Sequence, residues 1–151
     1  MSKVVVVSDS HRFTNFIEKL PRLYPDARLF LHAGDSELTT YDLFPFQTVK
    51  GNCDYQIDNK YYKTTVDGVG ILMFHGDHTY LSEDLLVGMA HNHNVQIIIH
   101  GHTHIPYYKQ VGDVHILCPG SLAYPRVSRA TYAIVTINSI NDIKVEIKNY
   151  E

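Results

Sequence analysis

The stretch that decides the fold is residues 94–104, which read NVQIIIHGHTH. Its β-branched run Ile97-Ile98-Ile99 is typical of a strand that is buried on both faces. Gly101 follows, and three imidazoles lie within five residues, those of His100, His102 and His104. Imidazole is a ligand of Zn, Mn, Fe, Ni and Co. The stretch therefore predicts a metal site at the end of a buried strand, although a polar turn that happens to be rich in histidine is the alternative.

Four other apolar runs end in the same way, each followed by glycine, aspartate, asparagine or histidine. Because ligand sites in open α/β sheets lie outside the carboxyl ends of the strands, these segments are expected to meet at one edge. The apolar runs are 4–7, 29–31, 47–50 and 71–74, and the polar segments after them are Ser8–His11, His32–Asp35, Gly51–Asp54 and His75–His78. Five strands delivering oxygen and imidazole ligands to one place predict the functional site.

The first third of the chain has the pattern of a parallel sheet. Strands are predicted at 3–8, 28–32 and 46–50, and a helix is predicted over 13–23 from apolar residues at helical spacing. Residues 36–44 carry a weaker helical pattern. The resulting βαβαβ order favours parallel strands.

The rest of the chain has the pattern of hairpins around one helix. Asp67-Gly68 joins strands at 61–66 and 69–74, and Ser82 is the predicted N-cap of a helix whose apolar stripe is Leu81, Leu85, Leu86 and Met89. Two more hairpins are predicted, at 105–117 and 131–148, so the second half should be mostly antiparallel. We predict one α/β domain over residues 1–151, a two-sheet sandwich with mixed sheets and helices on both outer faces.

Composition excludes several classes of protein. The net charge is −3 and no two Lys or Arg residues are adjacent, which argues against binding of extended nucleic acid. Cys53 and Cys118 are the only cysteines and form no CxxC motif, so a disulfide scaffold is not expected. No apolar run approaches membrane-spanning length, and we expect a cytoplasmic protein without membrane contact. The eleven tyrosines could supply a homo-oligomeric interface.

Five short motifs, taken in order, resemble those of the calcineurin-like metallophosphoesterases. They are Asp9-x-His11, Gly34-Asp35, Gly51-Asn52-x-Asp54, His75-Gly76 and Gly101-His102-x-His104. The resemblance runs over most of the chain and is strongest to the small bacterial and archaeal phosphodiesterases, the YfcE-like subgroup. It implies an αββα sandwich and the hydrolysis of a small phosphoester, most directly a phosphodiester.

The resemblance also implies two divalent metal ions and a hydroxide that bridges them. Mn is the first choice, with Ni, Fe, Co and Zn as alternatives. Asp35 would bridge the two ions, and Asn52, His75 and His78 would also take part in catalysis. The first ion would be held by Asp9, His11, Asp35 and His104, and the second by Asp35, Asn52, His75 and His102.

One position departs from the family pattern. Many relatives carry histidine between the asparagine and the acid, where it protonates the leaving oxygen, whereas this chain has Cys53. A neutral thiol is a weak acid, which puts activity on poorly activated substrates in doubt. Cys118 and Arg126 are separated by seven residues, which is too many for a thiol phosphatase loop, so we expect Arg126 to border the site, where it could face the substrate phosphate.

Taken singly, each ligand has a structural interpretation. Asp9 and Asp35 could be helix N-caps, Asn52 could be a turn residue, and His75 could be a core imidazole. At the level of function, the alternative is a catalytically weak, protein-binding scaffold on the same fold, like the retromer subunit that resembles these enzymes. A metal-storage or metal-sensing protein is a third hypothesis. The remaining histidines fit no ligand position and are expected to be structural or exposed: His32, His91, His93, His100 and His115.

Overall fold

The computed structural model describes residues 1–126 and 129–151, and within them the chain forms ten strands and two helices. The helices are α1 (Asn15–Leu23) and α2 (Glu83–Asn92). The strands are β1 (Ser2–Val7), β2 (Leu29–His32), β3 (Phe46–Thr48), β4 (Tyr61–Val66), β5 (Val69–Phe74), β6 (Ile97–Ile99), β7 (Tyr107–Val111), β8 (Val114–Cys118), β9 (Thr131–Ser139) and β10 (Asp142–Asn149).

The described strands form two mixed sheets of five strands each. The first has the order β10-β9-β1-β2-β3, with β1, β2 and β3 parallel and β9 and β10 antiparallel at one edge. The second has the order β4-β5-β6-β8-β7, with β5, β6 and β8 parallel and an antiparallel hairpin partner on each side. The predicted two-sheet sandwich with mixed sheets is therefore confirmed.

The alternation of side chains along β1 and β6 explains how the layers pack. Val4 and Val6 point into the core between the two sheets, whereas Val5 and Val7 point towards α1. In the same way Ile97 and Ile99 face the first sheet, and Ile98 faces α2. Successive side chains of a strand point to opposite faces, so a continuous apolar run is buried on both sides. All three isoleucines of β6 have no exposed surface, as the sequence predicted.

The two helices cover the two outer faces. Phe16 and Leu20 of α1 pack on the first sheet, and Leu86 and Ala90 of α2 pack on the second. The predicted N-cap of α2 is confirmed, because Ser82 Oγ accepts a hydrogen bond from the Leu85 amide at 3.2 Å. In the described part of the chain, neither helix has the length and apolar character needed to cross a membrane.

Three expectations about local structure were wrong or incomplete. Residues 36–44 form turns and irregular structure rather than a helix: Thr39 Oγ1 accepts from the Asp42 amide at 3.0 Å as a helix N-cap would, but Pro45, which has no amide hydrogen, follows within two turns. Leu85 does not belong to the buried stripe of α2, since it is 42% exposed. The second half is less antiparallel than predicted, because the hairpins are joined through the parallel strands β5, β6 and β8.

We expect the two adjacent leucines of α2 to differ in their effect on stability. Leu86 is 2% exposed and packs on the second sheet, so Leu86→Ala should lower the free energy of unfolding by about 2–5 kcal/mol. Leu85→Ala is the matched control on the same helix and should cost about 1 kcal/mol or less. Urea denaturation of both variants measures the difference, and equal losses would contradict this packing of α2.

Candidate metal centre

The candidate site is built where strands of both sheets end, and hydrogen bonds across the gap hold the two edges together. On the first sheet, the Asp9 amide donates to the Gly34 carbonyl at 3.0 Å. Between the sheets, His75 Nδ1 donates to the Ala33 carbonyl at 2.8 Å, and the His102 amide donates to Asp9 Oδ2 at 3.1 Å. The seven predicted ligands are thus brought to one place from five strand ends.

One group of donors consists of Asp9, His11 and His104. Asp9 Oδ1 lies 3.1 Å from His104 Nε2 and 4.0 Å from His11 Nε2. Both Asp9 Oδ1 and His11 Nε2 are buried, and neither has a hydrogen-bond partner among the described residues. The three side chains place one donor atom each within 4.8 Å of one another. This group matches three of the four ligands predicted for the first ion.

A second group adjoins the first and consists of Asp35, Asn52, His75 and His102. His75 Nε2 lies 3.1 Å from Asp35 Oδ2 and 3.1 Å from Asn52 Oδ1. Asn52 Oδ1 is also 3.3 Å from His102 Nδ1. These are the four side chains predicted for the second ion.

Both buried carboxylates lie between the two groups. A donor atom of Asp35 lies within 4.8 Å of donor atoms of His11 and Cys53, and Asp35 also contacts His75, so it lies between the two groups; its bridging of two ions stays a prediction. Asp9 was predicted for the first ion alone, yet its Oδ1 is 3.8 Å from His75 Nε2. The sequence order of the motifs did not indicate this second contact of Asp9.

Three imidazoles are oriented by hydrogen bonds through Nδ1, which leaves Nε2 aimed at the carboxylates. His75 and His104 donate to the backbone carbonyls of Ala33 and Tyr124, each at 2.8 Å. His11 Nδ1 is 3.0 Å from Glu37 Oε2. An oxygen partner on one ring nitrogen fixes the tautomer and the direction of the other, which is how histidine ligands of metals are held.

The carboxylates and histidines of the site shift one another's pKa values. Burial alone would lower the pKa of His75, but the hydrogen bond to Asp35 and the charge of Asp9 raise it to about 9. The Asp9 carboxylate, 3.1 Å from His104 Nε2, likewise raises the pKa of His104. Burial would raise the pKa values of Asp9 and Asp35, yet the histidines hold both below the usual range. Two ionised carboxylates are therefore matched by positive charge in the same small volume.

Five of the predicted ligand residues have an unfavourable backbone conformation. Asp9, His11, Asp35, His102 and His104 all have φ between 42° and 73°, the left-handed region that is unfavourable for residues with a side chain. Such strain is concentrated at functional sites in proteins. Gly101 is needed for a close approach, because a Cβ there would lie 2.1 Å from Ser8 Oγ and 2.8 Å from Asp9 Oδ2.

These residues fit divalent cations. Neutral nitrogen and carboxylate oxygen donors suit Mn, Fe, Co, Ni and Zn. A buried carboxylate oxygen without a hydrogen bond is costly unless a positive charge is placed beside it, and Asp9 Oδ1 is such an atom. The seven side chains could hold two ions in the two groups described above.

Two supporting residues were given no role by the sequence analysis, although Asp54 belongs to one of its motifs. Asp54 accepts from the amides of Asp35 and Gly51 through Oδ2 and from the amide of Glu37 through Oδ1, each at 2.8 Å. It therefore fixes the backbone of one ligand and of Glu37, the residue that orients His11. Asp54 and Glu37 both stand two residues from a predicted ligand in the sequence, which is the signal that could have indicated them.

The backbone around Asp9 is held by further buried side chains. His32 has no exposed surface, and burial lowers its pKa to about 4, so it is neutral. Its Nδ1 accepts from the Gly34 amide at 3.1 Å, and its Nε2 donates to Ser10 Oγ at 2.8 Å. From the other side, Ser121 Oγ donates to the Asp9 carbonyl at 2.8 Å. The loop that carries Ser121 therefore lies beside the site.

The remaining predicted residues lie at the margin. The side chain of His78 is 92% exposed and 3.9 Å from Asp77, so the structure does not bring it into the ligand groups. Arg126 is exposed, and its amide donates to the His104 carbonyl at 3.3 Å. Their catalytic and substrate-binding roles stay predictions.

The histidines that were expected to be structural lie outside the two groups. His100 is buried and hydrogen-bonded to the Gly101 carbonyl, and His115 stacks on Tyr108. His91 and His93 are exposed.

We expect the stability of the metal-free protein to fall as pH rises through about 9. The pKa of His75 is raised from 6.5 in the folded state, so between these values the folded chain binds a proton that the unfolded chain has lost. The stabilisation from His75 is complete below pH 6.5 and is lost through about pH 9, and His104 acts in the same direction. Urea denaturation across this window, with a chelator present, measures it. His75→Gln should flatten the profile, and an unchanged slope would contradict the assignment.

Comparison with known proteins agrees with the motifs. Residues 2–139 match the family described as the calcineurin-like phosphoesterase superfamily domain. The probable metallophosphoesterase YsnB of Bacillus subtilis is 33% identical over 143 residues, which cover 90% of this chain and 85% of YsnB. Phosphodiesterase YfcE of Escherichia coli is 27% identical over 109 residues, which cover 62% of this chain and 56% of YfcE.

Solved structures give the same result for the fold. A predicted phosphoesterase of Streptococcus pneumoniae has a TM-score of 0.85 at 28% identity, over 98% of this chain and 89% of that chain. Vacuolar Protein Sorting 29 of Cryptosporidium parvum has a TM-score of 0.77 at 14% identity, over 99% and 97% of the two chains, a likeness that shows the fold alone. The resemblance carried by the five strand-end motifs is therefore confirmed, and the chain belongs to the calcineurin-like phosphoesterase superfamily.

Proposed function

We propose that this protein is a phosphodiesterase that depends on two divalent metal ions held by the seven strand-end ligands. The observation that carries the proposal is the convergence of nitrogen and oxygen donors on two adjoining groups, with Asp35 reaching both. Two ions held in adjoining groups would repel each other, and the negative charge of Asp35 would offset this repulsion. The substrate is a small phosphoester that can enter the open side of the site.

Some residues of the site would hold the metal ions, and others orient the side chains that hold them. When bound, the two ions supply an activated water at neutral pH and neutralise the phosphoryl oxygens. Asp9 and Asp35 provide the negative charge that retains cations, and Glu37 fixes the ring of His11. Asn52 contributes a neutral oxygen between His75 and His102, so it adds a donor without adding charge.

The choice of a diester as substrate is supported by the relatives, and Cys53 bears on which leaving group the site can accept. YfcE is named as a phosphodiesterase and matches 62% of this chain. Burial and the charge of Asp35 raise the pKa of the Cys53 thiol, so it is neutral and a weak acid. A substrate whose leaving group needs no protonation is therefore favoured. The thiol is also a poor nucleophile in this form, because the thiolate is the reactive species.

The alternative is a catalytically weak, protein-binding scaffold on the same fold. The likeness to Vacuolar Protein Sorting 29 supports the fold but not the role, since only 14% of the aligned residues are identical. A scaffold has no need for two buried carboxylates, 0% and 2% exposed, whose charge must be neutralised. Hydrolysis of phosphoesters separates the two hypotheses.

We expect close to two Mn ions per chain after reconstitution and removal of excess metal, measured by elemental analysis. Asp35→Asn should lose most of this metal, because a shared negative charge is removed. The loss of affinity should exceed the roughly 10–100-fold caused by removing an outer partner of a ligand. Asp58→Asn is the control, since Asp58 is exposed and outside the site. One ion per chain at saturation in the unmodified protein would exclude the dinuclear proposal.

The last prediction from this proposal concerns the leaving group. The protein should hydrolyse an aryl phosphodiester and be slow on an unactivated alkyl diester, because general-acid assistance, typically worth about 10²–10⁴-fold, is missing. Cys53→Ala should keep the aryl activity. Cys53→His should raise the alkyl activity and leave the aryl activity nearly unchanged. Initial rates on both substrates decide the matter, and loss of aryl activity in Cys53→Ala would show that the thiol itself takes part in catalysis.

A further inference from the structure

A cleft of about 410 Å³ opens directly from the candidate metal centre. Asn52 and His75 are among the residues that line it, so it adjoins the group proposed for the second ion. Lys50 and Lys60 also line it, together with the aromatic side chains of Tyr61 and Phe74. A substrate whose phosphoryl group sits at the ligands would have the rest of its structure in or next to this cleft.

Hydrogen bonds and a buried side chain hold the loop that carries the two lysines. The Lys50 amide donates to the Asn59 carbonyl at 2.7 Å, and Asn59 Nδ2 donates to the Thr48 carbonyl at 2.8 Å. Ile57, 1% exposed, anchors the same loop in the interior. These contacts fold residues 50–60 back on themselves, so two cations ten positions apart in sequence line one cleft.

The other wall of the cleft is aromatic. Tyr61 and Phe74 face each other across the β4–β5 pair, with their ring centroids 5.9 Å apart and an interplanar angle of 27°. Phe74 is buried, whereas Tyr61 is 56% exposed. The exposed ring of Tyr61 beside two cations suits an organic molecule with an anionic group rather than a free inorganic ion.

The charges that face the cleft remain positive on balance. Asp77 lines it as well, and its carboxylate lies 3.9 Å from His78 Nε2. Neither lysine forms an ion pair with any carboxylate in residues 1–126 and 129–151. The whole chain has a net charge of −3, so this pair of lysines is not part of a generally basic surface.

We propose that the cleft is an anion subsite, and that Lys50 and Lys60 select phosphodiesters that carry a second phosphate group beyond the one that is hydrolysed. The inference rests on the proposed function and names the substrate class for the same site. A plain diester brings one negative charge, which the ligand groups already receive. Two further ammonium groups in the adjoining cleft match a second phosphate on the organic part of the substrate.

Two matched substrates test the proposal. Thymidine 5′-(p-nitrophenyl phosphate) and its 3′-phosphorylated form share the nucleoside and the leaving group and differ by one phosphate. We expect kcat/KM to be higher for the phosphorylated form in the unmodified protein. The ratio of the two values should fall by roughly fivefold in Lys50→Met and in Lys60→Met, the size expected for one screened charge pair, and approach one in the double variant. Lys148→Met, on the opposite sheet edge, is the control and should keep the ratio.

A binding measurement keeps this test independent of catalysis. Calorimetry with thymidine 3′,5′-bisphosphate and chelator-treated protein should detect binding that weakens in added salt and in the double lysine variant. If neither diester is hydrolysed, the proposed function fails, and this measurement alone decides the subsite. A kcat/KM ratio near one in active unmodified protein would overturn the subsite while leaving the phosphodiesterase intact. Bisphosphate binding that is absent, or equal in the unmodified and double-variant proteins, would overturn it as well.

Discussion

The burial of two carboxylates without a lysine or arginine partner is the constraint on which the rest of this structure depends. Asp9 and Asp35 are 0% and 2% exposed, and among the described residues they form ion pairs with histidines alone. An ionised carboxylate is costly in a dry interior unless positive charge and hydrogen bonds surround it. Histidines can meet that need as imidazolium or as neutral ligands beside a cation. The same seven residues therefore suit both a metal-free protein and a metalloenzyme.

The fold satisfies this constraint by bringing two sheets together at the ends of their strands. The core between the sheets, with Val4 and Val6 on one side and Ile97 and Ile99 on the other, sets the distance between the two edges. Hydrogen bonds between the sheets then hold the two edges in place, and the one from His75 Nδ1 to the Ala33 carbonyl is an example. A site built on strand ends inherits the rigidity of the core, which metal ligands need in order to keep their geometry.

Much of this arrangement could be predicted because it is local in sequence. Buried strands show as apolar runs, Asp67-Gly68 indicates a hairpin, and ligands stand directly after the strands that carry them. What could not be predicted depends on contacts between distant segments. The proximity of Asp9 to His75 is one such contact, and the outward direction of Leu85 is another, since both follow from how the two sheets and their helices are packed. The weak helical pattern at 36–44 produced only turns, because Pro45 leaves too few residues after the Thr39 cap for a helix to form.

The residues proposed to hold the metal ions stand at strand ends, whereas the residues proposed to select the substrate stand on loops. All seven strand-end ligands face one another or support one another, so none is free to distinguish one phosphoester from another. Selection must come from residues that border the ligands without belonging to them, and these lie on the loops that follow β3 and β5. Loops tolerate changes in sequence more readily than buried strand ends do. The same metal-holding framework can therefore serve different phosphoesters when Lys50, residues 55–60 and residues 77–79 change, because none of these positions is a ligand or forms the hydrogen bonds that hold Asp35.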